Sequence, residues 1–244
     1  MSKPVITSVE VIKLNLPYKE PFVISLGVIE SATNVVVRLH SSDGLTGTGE
    51  CAPFVTIVGE TQETVFAYAR QIGKMLKGKD PYALEERLSE IDRAVAGNPT
   101  MKSAFDMALY DLLAQRANLP LFKLLGGSND REIYTDMTIS IGPPEKVARD
   151  AVAFKEAGFP AIKVKLGTNT KDDVARIRAI RQAVGDDYPI RIDANQGWDT
   201  ISAINTLRAL AEYDIEHCEE PVPKWNNREM AKVRANSPIP YYGR

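Results

Sequence analysis

From Glu132 onward the chain alternates short strands with amphipathic helices, and each strand carries polar side chains on one of its two faces. The strands read as IYTDMTISI (133–141), AIKVKL (161–166), PIRIDAN (189–195) and DIEHCEE (214–220). Between them, Pro143-Pro144 opens a helix that ends before Gly158, and Val174, Ile177, Ile180 and Val184 line a second that stops at Gly185. Asp199 is placed to cap a third, which carries Ile201, Ile204, Leu207 and Leu210. This alternation predicts parallel strands joined by right-handed crossovers. A (β/α)8 barrel and an open doubly wound sheet both satisfy it.

The strand faces separate these two. Successive side chains of a strand point to opposite sides. One set is apolar: Met137, Ile139, Ile141; Ile162, Val164, Leu166; Ile190, Ile192, Ala194. The other is polar on every strand: Asp136, Thr138, Ser140; Lys163, Lys165; Arg191, Asp193, Asn195; His217, Glu219. A sheet covered by helices on both faces is apolar on both. An antiparallel sheet with one wet face gives the same pattern, but the helical connections argue against it. A barrel whose mouth is a reaction site accounts for both. Thr138, Lys165, Asp193 and Glu219 stand 27, 28 and 26 residues apart, about one βα unit each, and are expected at similar height around that mouth. Lys165 is then a candidate base, because an adjacent ammonium and a nearby cation both lower a lysine's pKa. Asp193 and Glu219 are hard oxygen donors suited to Mg2+.

The first half reads differently. VITSVEVIKLNL and NVVVRLHSSDGLTGTGE suit strands, the latter with a turn at Asp43-Gly44. Helical spacing begins near Thr61 and continues through YALEERLSEIDRAVAG and SAFDMALYDLLAQRAN. The expected division is an α+β domain over 1–130 and an α/β domain over 131–244. Composition, 44% hydrophobic and 25% charged, supplies ordinary globular cores. A net charge of -2 gives no general attraction to nucleic acid or anionic membrane. No apolar run approaches the roughly 18 residues that span a bilayer, and MSKPVITSVE lacks the apolar stretch of a signal peptide. Cys51 and Cys218 fit no zinc or redox spacing and are expected reduced, in the cytoplasm.

Several ordered motifs resemble the enolase superfamily, in particular its muconate-lactonizing-enzyme subgroup and the dipeptide epimerases within it. KVKLG is similar to that subgroup's Lys-x-Lys strand, DANQGW and CEEPV to its metal-ligand motifs, and MALYDLLAQRANLPLFKLLGG to the close of its capping domain. The resemblance implies an α+β capping domain followed by a TIM-type (β/α) barrel, of which about the first four βα units are present. It implies abstraction of the proton α to a carboxylate, with a Mg2+-stabilised enediolate. Lys165 would be the acid/base and Lys163 its support, meeting the substrate carboxylate. Asp193 and Glu219 would bind the metal, with Asn195 assisting from behind them. Thr138 would touch substrate. Residues 21–30 and 52–61 resemble the two specificity loops. Gly27 fills the place where Ala-Glu epimerases offer an arginine, which favours a non-acidic dipeptide. His217 is expected to be a core or supporting residue and Arg191 an ion-pair partner.

The spacing places a further rim residue near 244, where the family has a third metal-binding aspartate; here the chain reads SPIPYYGR, with Arg244 at that place. With a half-barrel, the chain is expected to associate as a homo-oligomer or with a partner chain, and not to complete epimerisation alone. The alternatives are another reaction of the subgroup (muconate cycloisomerase, o-succinylbenzoate synthase, N-acylamino-acid racemase) or a catalytically silent fragment or assembly module.

Overall fold

The computed structural model describes residues 3–242. The chain divides into two compact units. One takes the chain up to Tyr18 and then Ser31–Arg131; the other takes Lys19–Glu30 and the described residues from Glu132 onward.

β1 (Ile6–Ile24), β2 (Gly27–Ser41) and β3 (Thr46–Cys51) form a sheet in that order; the first unit holds all of β3, and β1 and β2 apart from their hairpin tip, Lys19–Glu30. Strand alternation is plain in β2, where Val35, Val37 and Leu39 are buried and Arg38 is exposed. These three oppose Cys51, Gly49 and Gly47 of antiparallel β3. Helices α1 (Val55–Val58), α2 (Gln62–Leu76), α3 (Leu84–Ala94), α4 (Pro99–Arg116) and α5 (Leu121–Leu124) follow. A Cβ on Gly49 would stand 1.9 Å from the Ala104 carbonyl oxygen of α4, and one on Gly47 2.0 Å from that of Ala108. Glycine at both positions therefore lets α4 lie directly against β3. Thr61 and Thr64 form a capping box that starts α2.

The second unit runs β4 (Met137–Ile139), α6 (Pro144–Glu156), β5 (Ile162–Lys165), α7 (Thr170–Val184), β6 (Ile190–Asp193), α8 (Thr200–Ala209), β7 (Ile215–Glu219), α9 (Asn227–Asn236) and β8 (Tyr241–Tyr242). The strands form one sheet in sequence order, each neighbour parallel. Four consecutive βα units are thus present, as the strand–helix alternation predicts, and a fifth short strand follows. Asn169 caps α7 and Asp199 caps α8, each accepting from the backbone N–H three residues on. Gly185, at φ 83, ends α7.

The apolar strand set packs under the helices. Ile162, Val164, Leu166, Ile190, Ile192 and Ala194 are fully buried in one cluster with Ile177, Ile180 and Leu207. Met137 departs from the expected set: it is 38% exposed, because β4 is an edge strand with a neighbour on one side only. Residues 21–30 also differ from the loop expected there. Phe22, Val23 and Ile24 extend β1, Gly27–Ile29 begin β2, and a two-residue turn, Ser25-Leu26, joins them. Their β-branched and aromatic side chains favour strand over irregular backbone, and Gly27 takes φ 139 just past the turn. No helix among the described residues is long and apolar enough to cross a membrane.

Candidate functional site

Parallel register aligns Lys165 with Asp193 and Asp193 with Glu219 across β5, β6 and β7. The last alignment depends on a bulge. Ile190 pairs with Ile215, but Ile192 pairs with Cys218, so β7 carries one extra residue between these points. An unbroken ladder would set Cys218 opposite Asp193; the bulge advances β7 and presents Glu219 instead. Ile215 and Cys218 both stay in the core as a result.

Thr138 does not reach this level. It pairs with Lys163, two residues earlier on β5 than Lys165. The count of 27 residues from Thr138 to Lys165 overshoots because the β4–β5 crossover closes its register in two residues fewer. Gly27 lies in the second unit with the hairpin tip.

The side chains converge on Asp193, which is 3% exposed. Lys165 Nζ donates to Asp193 Oδ2 at 2.7 Å. Lys163 Nζ lies 3.1 Å from the same oxygen and donates to Glu219 Oε2 at 2.6 Å. Asn195 donates its backbone N–H to Asp193 Oδ1 at 2.8 Å and its amide to Oδ2 at 3.2 Å. Two ammonium groups therefore balance two carboxylates in a cluster buried at Asp193 and Lys165 and partly open at Lys163 and Glu219, and the like charges of Lys163 and Lys165 are offset by the acids they share. Burial pulls the Lys163 ammonium down, but its bond to Glu219 and the charge of Asp193 outweigh that and hold it above the ordinary lysine value. Burial likewise raises Asp193, and the bond and charge of Lys165, the Asn195 N–H and the charge of Lys163 together more than offset it, leaving the carboxyl below its ordinary value.

The backbone beyond the strands is unusual. Asn195 (φ 43), Gln196 (φ 66) and Glu220 (φ 41) are all left-handed without being glycine. Such residues persist only where surrounding bonds fix them; here Gln196 N–H donates to Glu220 O at 2.8 Å and Glu220 N–H to Tyr242 O at 2.9 Å.

Other polar groups surround the cluster. His217 Nε2 lies 3.7 Å from Glu219 Oε1, and its ring meets Tyr242 edge-on at 5.0 Å. Arg191 pairs with Asp136 and Glu216. Two further contributors come from residues 21–30, the segment that resembles a specificity loop. Phe22 sets its ring 6.0 Å from Lys165 Nζ, and Ser25 Oγ donates to the Asn195 carbonyl at 2.7 Å. Both come from the hairpin tip, well over a hundred residues earlier in the chain.

Among the described residues no group of three or more His, Cys, Asp or Glu gathers as a metal site. The pair Asp193 and Glu219 nonetheless suits a hard divalent cation, and Asn195 Oδ1 is buried without a hydrogen-bond partner beside them. Arg244 lies outside the described residues.

Residues 6–126 match the mandelate racemase/muconate lactonizing enzyme N-terminal domain, and residues 146–243 an enolase C-terminal domain-like family. A D-Ala-D/L-Ala epimerase of Cytophaga hutchinsonii is 48% identical over 236 residues, 97% of this chain and 64% of that protein. A hydrophobic dipeptide epimerase of Enterococcus faecalis is 40% identical over 219 residues, 90% of this chain and 62% of that protein. The chain thus spans less than two thirds of the length of either relative. The crystal structure of the Cytophaga dipeptide epimerase with Mg and D-Ala-L-Val superposes with a TM-score of 0.93 at 47% identity, covering 98% of this chain and 65% of that one. The Enterococcus enzyme with Mg and L-Leu-L-Tyr gives 0.92 at 37%, covering 98% and 67%.

Proposed function

The chain belongs to the mandelate racemase/muconate lactonizing enzyme family of the enolase superfamily, and on that premise we propose that it is a dipeptide epimerase polypeptide that removes the proton α to the substrate's carboxylate. The observation that carries this reading is the convergence of Lys165 and Lys163 on Asp193 and Glu219, with Lys165, Asp193 and Glu219 level on a parallel sheet and Lys163 one pleat below.

Lys165 takes the α-proton of the C-terminal residue from one face of the substrate and exchanges it with solvent. Lys163 supports Lys165 and faces the substrate carboxylate. Asp193 and Glu219 hold Mg2+, with Asn195 behind them. Bound there, Mg2+ supplies positive charge that offsets the negative charge growing on the carboxylate oxygens.

Thr138 and Gly27 border the substrate. Gly27 offers no cation to an acidic side chain, and the Phe22 ring adds apolar surface beside Lys165. Both features support a hydrophobic or otherwise non-acidic dipeptide, as do the names of the two epimerases above. The chain works in the cytoplasm, where Cys51 and Cys218 stay free thiols, and as a homo-oligomer.

Exchange of the α-proton requires only a base on one face of the substrate, so it reads the chemistry of this chain directly. In D2O with Mg2+, the α-proton NMR signal of the C-terminal residue is expected to disappear for D-Ala-L-Val and L-Leu-L-Tyr, and to persist for L-Ala-L-Glu. EDTA is expected to stop the exchange. Exchange that survives EDTA, or absence of exchange with every dipeptide, contradicts the assignment; preference for L-Ala-L-Glu contradicts the substrate class.

A further inference from the structure

We propose that Asp173 is a positioning residue that fixes Lys165 against Asp193 by tying the exits of three strands to one buried carboxylate; this rests on the role assigned to Lys165 above. Asp173 is fully buried in the first turn of α7. Its Oδ2 accepts from the backbone N–H groups of Gly167 and Thr168, both at 3.2 Å, and from the Trp198 indole N–H at 2.9 Å. Its Oδ1 accepts from Thr168 Oγ1 at 2.9 Å and from Arg176 Nη1 at 2.7 Å. Arg176 Nε in turn donates to the Gly142 carbonyl at 2.9 Å.

Two of these ties reach far along the chain: Trp198 to Asp173 itself, and Gly142 through Arg176. Gly167 and Thr168 follow β5, which carries both lysines. Trp198 follows β6, which carries Asp193. Gly142 follows β4, which carries Thr138. A buried carboxylate with one guanidinium and four further donors is fully satisfied and therefore rigid. The packing around it leaves no slack. A Cβ on Gly167 would stand 2.3 Å from the Ala194 carbonyl oxygen, and one on Gly197 2.3 Å from that of Gly167 and 2.7 Å from Ser25 Cβ. The loops after Lys165 and after Asp193 thus touch backbone to backbone, and Asp173 holds both. A displacement there moves Lys165 relative to Asp193 without touching the substrate.

Asp173→Asn keeps the shape and removes the charge. It is expected to fold, to shift the Trp198 indole N–H resonance, and to lengthen the Lys165 Nζ–Asp193 Oδ2 contact from 2.7 Å in its crystal structure. Its kcat for α-proton exchange is expected to fall about ten- to a hundredfold, with KM changed less than about twofold. Arg181→Lys, which weakens the fold away from this cluster, is the control and is expected to leave kcat within about twofold. Trp198→Phe removes one donor and spares the carboxylate; it is expected to act in the same direction, less strongly, and decides the matter if Asp173→Asn does not fold. An unchanged kcat in a folded Asp173→Asn, or a fall matched by Arg181→Lys at equal thermal destabilisation, overturns the proposal. Should the parent chain exchange no α-proton, the catalytic reading fails by itself. The Lys165–Asp193 distance in the variant crystal then decides, and an unaltered distance refutes the positioning role.

Discussion

Lys165→Arg and Lys165→Ala are both expected to abolish α-proton exchange, by about a thousandfold or more. The two variants separate the roles of this side chain. Arginine retains a cation for the buried Asp193 carboxylate, which otherwise loses its 2.7 Å partner, but it does not give up its proton in proteins. Folding and thermal stability are therefore expected to survive in Lys165→Arg while exchange does not. Alanine removes both base and cation, and Lys163 alone then faces Asp193 and Glu219. Exchange at the parent rate in either variant, measured by NMR in D2O, would show that the base is another group.

The second large effect is on stability. Arg181 lies near the end of α7 and is 7% exposed. Its Nη1 donates to the carbonyls of Gly185, Asp186 and Tyr188, its Nε to that of Tyr213, and its Nη2 to those of Tyr213 and Asp214. Burial lowers its pKa below the ordinary arginine value, and the nearby carboxylates of Asp214, Asp186 and Asp187 oppose that only in part. One guanidinium thus joins the turn entering β6 to the turn entering β7. Arg181→Ala leaves five carbonyls without this donor and opens a gap, at an expected cost of about 4 kcal/mol. In a chain of this size that corresponds to a fall in Tm of roughly 8–16 °C. Lysine restores the charge but not the fork, and is expected to recover less than half of the loss. Calorimetry of the three proteins checks this; an Arg181→Ala melting point within about 2 °C of the parent would contradict it.

What could be read from the sequence is what repeats locally. The two-residue period of the strands sorted polar from apolar faces, and the helix stops at Gly158 and Gly185 marked the units. Those signals sufficed to bring Lys163, Lys165, Asp193, Glu219 and Asn195 together, because each lies on a strand whose neighbours are fixed by the crossovers. Thr138 was set too high because residue counts ignore how long each crossover is. Phe22 and Ser25 reach the site by long-range packing, signalled in the sequence only by the resemblance of residues 21–30 to a specificity loop. Asp173 has no pattern in the sequence that singles it out; only its burial with Trp198 and the contact of two glycine backbones reveal what it holds.

The extra residue in β7 carries a genetic corollary. Deleting a single codon between Ile215 and Cys218 would restore a regular ladder and still leave Cys218 opposite Ile192 and Glu219 opposite Asp193. The thiol would stay beneath the helices and the glutamate would keep its place beside the lysines. A loss of length at this one point is absorbed by the bulge, so the chemical identity of the rim survives it.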